Sequence, residues 1–403
     1  MPLDAEERIR VPYLKVTNIP LHRDAAGQWW GDPLWVKDLL LHLECIEDLR
    51  LLCPSVAAPG AGWQRFDASS MIISTLAPQG RGWLMKLPSL YRQIDSAAAE
   101  AHIVHTGVTG WPFPLGWLAT LAAVRRRKFL IILIESAPWR PTPGSRTSLK
   151  QRVKSAVFEL FARACAKRAD LLIVTQPAYL QMGGPAPRNS MLNPATWIDD
   201  EVVLSESAAL ASWQAKEDRF VVVGRLTADK GVLVLLEALR QLGDRAPQVD
   251  IVGEGELHDE CARLAEEMPE RVRMVPPVPY GPRFFELLDR YRGVLVPLKS
   301  DEQPRIVFDA YARAIPVLGS TAPGVASCVT DGQTGWLFEP GNADALARIL
   351  RQAVAQPTSL RTMGFRARDA AERNTHREMH RTRVSRIIKA MATDPSLKAR
   401  PVP

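Results

Sequence analysis

The sequence alternates short aliphatic runs with amphipathic helical stretches, and it does so in two successive series. The first series predicts strands at 13–19, 71–76, 102–107, 129–135 and 170–176, with helices at 33–44, 114–126 and 150–168. The second series predicts strands at 220–226, 249–255, 271–277, 293–299, 315–320 and 335–340, with helices at 231–242, 257–267, 282–291, 304–313 and 343–355. Such alternation is typical of α/β domains with mainly parallel sheets. Ligands of doubly wound sheets bind at the carboxyl ends of the strands, so functional residues are expected there.

The length of the chain predicts how many domains it forms. At 403 residues the chain is too long for one ordinary hydrophobic core, so two domains are expected. We place an N-terminal domain at 1–200 and a C-terminal domain at 201–372. Residues 373–403 are predicted to form a helix that returns toward the N-terminal domain, followed by a tail. The segment 191–219 is irregular and polar, and it is interpreted as the linker.

The composition is that of a soluble globular protein, with 46% apolar and 24% charged residues. The longest apolar run, at 129–134, is much shorter than the roughly 18 residues that a membrane span needs. The first ten residues are charged and lack the apolar core of a signal peptide. The five cysteines are scattered, which predicts reduced, buried thiols. A cytoplasmic location is therefore expected.

Positive charge is concentrated in the first half of the chain. Residues 1–200 hold 23 Lys and Arg against 17 Asp and Glu, and basic stretches at 125–128 and 150–154 adjoin predicted helices. This half suits an anionic membrane surface or an anionic substrate. A solvated basic face is the alternative. No nucleic-acid recognition motif is present in the sequence, so nucleic acid is not an expected partner.

A glycine turn with two cations follows the first strand of the second series. Gly224 and Arg225 end the strand, and Lys230 comes just before the next helix. Glycine lets the backbone approach a ligand closely, and a helix N-terminus favours anions. The planar fork of Arg and the point charge of Lys together suit a diphosphate. A second turn of this kind, at Gly253, follows the next strand; each turn alone can equally be an ordinary connection.

Two carboxylates, Asp301 and Asp309, follow the predicted strand at 293–299, with Arg305 between them. Arg305 and Asp309 are four residues apart on a predicted helix, so a salt bridge between them is one interpretation. Glu302 competes with Asp301 as the acidic residue of the loop. Acidic groups at the carboxyl end of a strand are otherwise candidates for binding a polar ligand.

Taken in this order and spacing, the motifs between 215 and 355 resemble the retaining GT-B glycosyltransferases of family 4. The series comprises the turn at Gly224 with its two cations, "VGEGE", the acidic pair, "IPVLGSTAPGV" and "DGQTGWLFEPGN". The first half resembles the family more faintly, at "VTNIPLHRD", "IVHTG", "RADLLIVT" and "LNPATWID". The resemblance implies a GT-B fold, with two doubly wound Rossmann-like domains facing a central cleft. It also implies transfer of a sugar from a nucleotide-sugar.

The resemblance assigns roles to the acidic pair. In the family, a loop glutamate faces the transferred sugar and a helix glutamate faces the nucleotide ribose. Asp301 matches the first and Asp309 the second, and Arg305 lies among the donor-binding residues. A carboxylate suits either task because it can accept hydrogen bonds from neighbouring sugar hydroxyls.

The resemblance further implies catalysis without a metal or another cofactor. The sequence has no D-x-D motif and no His/Cys cluster with metal-ligand spacing. Arg225 and Lys230, with backbone N–H groups near Gly324, are expected to stabilise the leaving diphosphate. We expect transfer with retention, in which the leaving phosphate takes the proton of the acceptor.

By the same resemblance the first domain holds the acceptor. Gly31 matches the second glycine of the family's Gly-Gly turn and is a donor-binding candidate, since that turn approaches the phosphate; Trp30 replaces the first glycine. Trp29 and Trp30, in the stretch "GQWWGDPLW", are candidates for a sugar platform or an interfacial anchor, with ordinary packing as the alternative. His105 falls at the end of a predicted strand, where the family has a histidine, and a structural role is the alternative.

Glu135 ends the predicted strand at 129–135, where relatives commonly have a histidine at the acceptor site. A carboxylate there can orient an acceptor hydroxyl or act as a general base. A salt bridge to Arg140 is the alternative.

We therefore predict a metal-independent hexosyltransferase that uses a UDP- or GDP-linked sugar. The expected acceptor is a sugar or a lipid-linked sugar of bacterial surface polysaccharide or glycolipid synthesis. The protein is expected in the cytoplasm, with possible peripheral binding to the inner face of the membrane. Two other functions fit the sequence: a GT-B sugar-nucleotide epimerase, and a non-catalytic GT-B subunit that partners an active transferase.

Overall fold

The computed structural model describes residues 8–77, 83–110, 112–141, 147–184 and 189–393. Its contacts group the chain into two compact units. Unit 1 takes Met1–Arg140, Thr147–Asn193 and Met379–Pro403, and unit 2 takes Pro141–Arg146 and Pro194–Glu378. This grouping divides the chain between Asn193 and Pro194, whereas the sequence places the domain boundary after residue 200. The predicted tail lies outside the described residues from 394 onward.

Unit 1 contains a parallel seven-stranded sheet and a small antiparallel one. In chain order the strands are β1 (Tyr13–Val16), β2 (His22–Arg23), β3 (Trp29–Gly31), β4 (Leu49–Pro54), β5 (Gln64–Phe66), β6 (Met71–Leu76), β7 (Ile103–Gly107), β8 (Phe129–Ile134), β9 (Leu171–Val174) and β10 (Ser190–Leu192). The large sheet has the order β10-β9-β8-β7-β1-β4-β6, and β2, β3 and β5 form the small one.

Unit 2 contains a parallel six-stranded sheet. Its strands are β11 (Arg219–Val223), β12 (Gln248–Val252), β13 (Val272–Val275), β14 (Gly293–Val296), β15 (Val317–Ser320) and β16 (Gly335–Phe338). They lie in the order β13-β12-β11-β14-β15-β16. The direction of the strand order therefore reverses between β11 and β14, and such a reversal is where doubly wound sheets bind ligands.

Helices alternate with the strands in both units. They are α1 (Pro33–Cys45), α2 (Trp83–Ala99), α3 (Leu115–Arg125), α4 (Leu149–Ala166), α5 (Glu206–Ala215), α6 (Val232–Leu242), α7 (His258–Glu267), α8 (Pro282–Leu288), α9 (Ile306–Ala312), α10 (Pro323–Ala326), α11 (Ala343–Ala355), α12 (Pro357–Glu372) and α13 (His376–Ala392). Within the described residues, none of the helices combines the length and the apolarity that crossing a bilayer requires.

Each of the two large sheets is covered by helices on both faces. Successive residues of a strand point to opposite sides, so both faces carry apolar side chains that must be buried. In unit 1, Leu14 and Val16 face α2, α3 and α4. Tyr13 faces the opposite way, toward a core that includes Val36 of α1 and Ile387 of α13. In unit 2, one core joins the sheet to α6, α7 and α11, and the other joins it to α8 and α9.

Local sequence explains where several helices begin. The Asp32 carboxylate accepts hydrogen bonds from the backbone N–H groups of Leu34 and Trp35, at 3.0 and 3.1 Å, and Pro33 is the first residue of α1. Ser148 and Gln151 cap α4 reciprocally through their side chains. Such caps satisfy backbone donors that the first helical turn leaves unpaired.

The structure confirms most predicted elements and corrects others. The runs at 71–76 and 343–355 form β6 and α11 with the predicted limits. The predicted linker is wrong in its detail, because residues 190–192 form β10, the edge strand of the large sheet of unit 1, and residues 206–215 form α5. The strand β4 and the helix α2 are absent from the prediction, although each is a full element of unit 1. In the stretch "GQWWGDPLW", Trp29 and Trp30 lie in β3 and Trp35 lies in α1.

Candidate functional site

The two glycine turns of unit 2 pack against each other at the carboxyl ends of β11 and β12. Gly224 and Gly253 have φ of 146° and 152°, in the region that favours glycine. A Cβ on Gly253 would overlap the carbonyl oxygen of Gly224. The backbone N–H of Leu226 donates to the carbonyl of Glu254 at 2.8 Å, which fastens the second turn to the first. Arg225 is thereby fixed at the point where the strand order reverses.

Lys230 is placed by a short 3₁₀ turn, Ala228–Lys230, that precedes α6. Gly231 follows in the left-handed region at φ 76°, and a Cβ there would overlap the carbonyl oxygen of Pro297. The backbone N–H groups of Lys299 and Ser300 donate to the carbonyl of Asp229, at 2.8 and 3.3 Å. The lysine therefore lies beside the loop that follows β14, the neighbour of β11 in the sheet.

Three cationic side chains influence one another at this edge. Burial, together with the charges of Arg225 and Arg305 and against the charge of Asp229, lowers the pKa of Lys230 to about 8. Like charges that depress a lysine pKa also attract an anion to the same place. The Nζ atom of Lys230 forms an ion pair with the carboxylate of Glu302. The site is thus suited to a phosphate-bearing ligand.

The loop from Ser300 to Arg305 is held from two sides. The side-chain amide of Gln303 makes two hydrogen bonds to the backbone of Ala195: it accepts from the N–H at 2.7 Å and donates to the C=O at 2.9 Å. A Cβ on Gly324 would overlap the carbonyl oxygen of Glu302, so glycine permits the close approach of these two backbones. Asp301 lies half-buried in this fixed loop.

The Arg305 guanidinium lies over the ring of Trp197, 4.6 Å from its centroid. Stacking on an aromatic face leaves the edge of a guanidinium available for planar hydrogen bonds. Asp309 accepts a hydrogen bond of 2.9 Å from the hydroxyl of Tyr280 and is 5% exposed. Burial, reinforced by the Asp309 carboxylate, raises the pKa of Tyr280, so this phenol remains a neutral donor.

The structure therefore brings together Arg225, Lys230 and Arg305 at the reversal of the strand order, with Asp301 and Asp309 on the loop and helix that follow β14. Glu302, the competing acidic candidate, is the carboxylate that contacts Lys230. Sequence reasoning missed Trp197 and Tyr280. The isolated tyrosine in the proline-rich stretch "VPPVPYGP", just after a strand, was a signal for the second.

In unit 1 the predicted donor-side and acceptor-side residues occupy different environments. Gly31, the donor-binding candidate, is buried, and a Cβ on it would lie 2.9 Å from side-chain atoms of both Leu21 and Val36, so its neighbours are apolar. Trp30 donates from Nε1 to Oδ2 of Asp24 at 2.9 Å.

Trp29 points to the other face of β3 and lies under the guanidinium of Arg23, 5.3 Å from the ring centroid. Trp29 also lines an open cavity of about 490 Å³, whose walls include Gln28, Arg65 and Asp67. An aromatic ring beside polar side chains is a common arrangement for holding a sugar. Trp29 also packs against the core that contains Leu21 and Val36, so its ring is shared between ordinary packing and the wall of this cavity.

Glu135 directly follows β8, and its side chain is exposed. Its backbone carbonyl accepts from the hydroxyl of Thr175 at 3.0 Å. The Arg140 guanidinium pairs with Glu159, with Nη2–Oε1 and Nε–Oε2 distances of 2.9 and 3.0 Å. Arg140 thus has a carboxylate partner other than Glu135. The Glu135 side chain is accessible at the carboxyl end of the sheet, as an acceptor-side residue requires.

His105 lies inside the sheet and is 1% exposed. Its Nδ1 atom is 2.7 Å from the Tyr13 hydroxyl, and burial lowers its pKa well below the ordinary value, helped by the charge of Lys15. A buried histidine with this partner has the surroundings of a structural residue.

His105 belongs to a buried polar cluster that the sequence did not predict. The Nζ atom of Lys15, in the middle of β1, is 2.9 Å from Nε2 of His42 and 3.8 Å from a carboxylate oxygen of Asp38. Nδ1 of His42 is 2.7 Å from the carbonyl of Asp38, so Nδ1 carries the proton and Nε2 accepts from Lys15. On α13, His380 Nε2 is 3.0 Å from Oδ1 of Asp38. The lysine in an otherwise aliphatic strand was the sequence signal.

Comparison with known proteins identifies sequences and structures that this chain resembles. Residues 217–356 match a family model described as "Glycosyl transferases group 1". A curated relative, the D-inositol 3-phosphate glycosyltransferase of Streptomyces avermitilis, is 24% identical over 415 residues, covering 90% of this chain and 84% of that protein. The corresponding enzyme of Kribbella flavida is 27% identical over 252 residues, and the match spans 58% of this chain and 56% of the relative.

A solved structure, Anabaena Alr3699/HepE in complex with UDP, matches with a TM-score of 0.66 at 17% identity, covering 94% of this chain and all of that one. The likeness extends over both units and shows the fold. Two Rossmann-like parallel sheets flanked by helices, arranged in this order along the chain, are those of the GT-B proteins. The chain thus has the α/β GT-B fold, and its residues 217–356 are similar to the group 1 glycosyl transferases.

Proposed function

We propose that this protein transfers a sugar from a nucleotide-sugar, UDP- or GDP-linked, to a sugar or lipid-linked acceptor, with retention. The observation that carries the proposal is the meeting of Arg225, Lys230 and Arg305 at the reversal of the strand order in unit 2. Such a cluster of cations matches the charge of a diphosphate. The neighbour HepE was also solved with UDP-glucose, which supports a donor of this class.

In the proposed mechanism the protein stabilises the leaving diphosphate by charge. Arg225 and Lys230 hold the phosphates and act most strongly as negative charge develops on the leaving oxygen. The proposed mechanism uses no metal ion or other cofactor. Asp301 accepts hydrogen bonds from the transferred sugar, and Asp309 accepts from the ribose. The leaving phosphate takes the proton from the acceptor hydroxyl, while Glu135 orients that hydroxyl.

The acceptor is proposed to lie on unit 1, with Trp29 as the sugar platform. The cavity beside Trp29 contains Arg65, whose charge also suits a phosphorylated acceptor. The curated relatives are named for D-inositol 3-phosphate, so a phosphorylated polyol is a second candidate beside a surface polysaccharide or glycolipid.

The decisive experiment is calorimetric titration of nucleotides and nucleotide-sugars into three variants. Asp301→Asn should keep its affinity for the free nucleoside diphosphate and lose transfer. Asp309→Asn should lose about 1–3 kcal/mol of affinity for both ligands, because a buried acceptor is removed from the ribose. Glu267→Gln is the charge-matched control, since this carboxylate pairs with Arg240 at the surface.

Three outcomes would count against the proposal. Equal behaviour of Asp301→Asn and the control would remove Asp301 from the sugar site. Turnover of the donor with no acceptor present would indicate an epimerase. Nucleotide binding with no transfer to any acceptor of the screened classes, unless a second transferase is added, would indicate a partner subunit.

A membrane location is proposed from the surface of α4. Leu149, Val153, Val157, Leu160 and Phe161 recur along this helix at one-turn spacing, and all are exposed. Lys150, Arg152 and Lys154 are exposed on the same helix. Apolar and basic side chains exposed together on one helix fit the interface of an anionic bilayer. We propose that unit 1 binds the inner face of the cytoplasmic membrane through α4.

A further inference from the structure

The ion pair between Lys230 and Glu302 occupies the position that the proposed function gives to the diphosphate. The two side chains come from the loops after β11 and β14 and are 23% and 30% exposed. Lys230 lies within the influence of Arg225 and Arg305, so a negative charge is needed there even without a ligand. In the free chain Asp229 supplies part of that charge, and Glu302 supplies the carboxylate that pairs directly with the Lys230 ammonium.

The Lys230 ammonium is a compact charge, and it cannot give its full attraction to two anions at once. A diphosphate that reaches Lys230 must therefore share the cation with Glu302 or displace it. Displacement is favoured, because two anions held together in a partly buried site repel each other.

We infer that Glu302 is an internal competitor of the donor: it neutralises Lys230 in the free chain and is displaced when a nucleoside diphosphate binds. This inference rests on the proposed function of the cation cluster. Glu302 thereby lowers the affinity for the donor and also favours release of the nucleoside diphosphate after transfer.

Displacement needs only a rotation of the Glu302 side chain. The backbone beside it is fixed by the hydrogen bonds of Gln303 to Ala195 and by the close approach of Gly324. Exposed side chains change rotamer in picoseconds to nanoseconds, so the exchange does not require movement of the loop. While Glu302 pairs with Lys230, the cation is not available to the donor. The ion pair therefore lowers the fraction of molecules that can bind the donor, and the apparent affinity falls with that fraction.

The test is a double-mutant cycle measured by calorimetry with UDP, GDP and ADP. Glu302→Gln removes the charge and keeps the shape. We expect it to tighten the binding of the preferred nucleoside diphosphate about two- to fivefold, in line with a partly exposed ion pair. In the Lys230→Ala background the same change should have no effect on affinity. Glu267→Gln, which removes a surface carboxylate of the same unit, should leave the affinity unchanged in both backgrounds.

The outcomes separate the inference from the proposed function. Unchanged or weaker binding by Glu302→Gln overturns the inference. Tightening that persists in the Lys230→Ala background also overturns it, because Glu302 would then act without Lys230. If neither Lys230→Ala nor Arg225→Ala weakens nucleotide binding, or if no nucleoside diphosphate binds, the proposed function fails and the inference falls with it.

Discussion

The Tyr280 hydroxyl donates a hydrogen bond of 2.9 Å to Oδ1 of Asp309. It connects the segment after β13 with the first turn of α9, so two elements separated along the chain fix the direction of one carboxylate. Because Asp309 is buried, its orientation depends on such partners and not on water. A carboxylate held in this way is ready to accept a hydrogen bond from a ligand hydroxyl.

Removing this donor should weaken nucleotide binding. We expect Tyr280→Phe to lower the affinity for the nucleoside diphosphate by about 1 kcal/mol, the usual contribution of one hydrogen bond. Calorimetry measures the effect, and Tyr91→Phe on α2 is the control. An unchanged affinity with lower thermal stability would show that Tyr280 supports the fold alone.

The cations of the donor site should act mainly on the reaction itself. Arg225→Ala or Lys230→Ala should lower the turnover rate by raising the activation free energy about 2–4 kcal/mol, if each cation stabilises charge on the leaving group. Steady-state kinetics with the donor in excess measures this loss. EDTA should have little effect on the unsubstituted chain. A strict requirement for Mg²⁺ would contradict the proposed mechanism.

The pKa of Lys230 predicts how donor binding depends on pH. Burial, with the charge of Arg225, lowers this pKa to about 8, so the ammonium loses its proton as the pH rises through 8. Affinity for a nucleoside diphosphate should therefore be constant near pH 7 and fall above pH 8, by up to about tenfold per pH unit.

The matched variant for this prediction is Lys230→Arg. A guanidinium stays charged throughout this range, so its affinity should be flat between about pH 7 and 9. Titrations at three pH values in one buffer system are sufficient. The same decline in Lys230→Arg as in the unsubstituted chain would assign the titration to another group.

The histidines of unit 1 predict a loss of stability in acid. Burial lowers the pKa of both His42 and His105 well below the ordinary value, and the Lys15 charge lowers it further. The folded state therefore keeps both neutral where the unfolded state takes up protons. The unfolding free energy should fall as the pH drops below about 6.5, by roughly 1.4 kcal/mol per pH unit for each histidine.

Urea unfolding at pH 7.5, 6.5 and 5.5 checks this dependence. His42→Gln or His105→Gln should remove one histidine's share of the slope, whatever its effect on stability at pH 7.5. Slopes equal to that of the unsubstituted chain would show that these groups do not control the acid response.

The proposed membrane surface predicts vesicle binding through α4. Changing Lys150, Arg152 and Lys154 together to Gln should cost about 1 kcal/mol of binding per residue on anionic vesicles. Cosedimentation measures the loss, and Arg348→Gln with Arg351→Gln on unit 2 is the control. Transfer to a soluble acceptor analogue should be unaffected.

The contribution of the apolar side chains of α4 to vesicle binding is tested separately. Leu160→Asn removes a side chain that is 66% exposed, so it should reduce the vesicle binding that remains in high salt and leave stability unchanged. Binding unaltered by both sets of changes would make α4 an ordinary solvated helix.

The sequence predicted all six strands of the second half because glycine or proline follows or interrupts each short aliphatic run. Strand β4, "LRLLCP", was missed because its apolar run follows the apolar stretch of α1 after only three residues, and short apolar runs do not separate strand from helix. Helix α2 was missed because Pro88 lies inside it, and proline normally argues against a helix interior. The small sheet of β2, β3 and β5 escaped prediction because its strands are only two or three residues long.

In the proposed donor site, too, some features were predictable from the sequence and others were not. Motif spacing identified Arg225, Lys230 and Asp309, since each follows a strand at a fixed distance. The ion pair of Lys230 with Glu302 joins residues 72 positions apart, and only the pairing of β11 with β14 brings them together. No local pattern reports a contact of this kind. The hydrogen bond from Tyr280 to Asp309 likewise depends on the folded chain.

Helix α13 contributes its last three turns to the core of unit 1, although β1 lies more than 360 residues earlier in the chain. Val384, Ile387 and Ala390 pack into the same core as Tyr13 and Leu49. Ribosomes build the chain from its N-terminus, so the first sheet emerges long before the helix that covers it. Until α13 has been synthesised, one face of that sheet lacks its final cover. The unit whose sheet is made first therefore completes its core only after every strand of the other unit has been made.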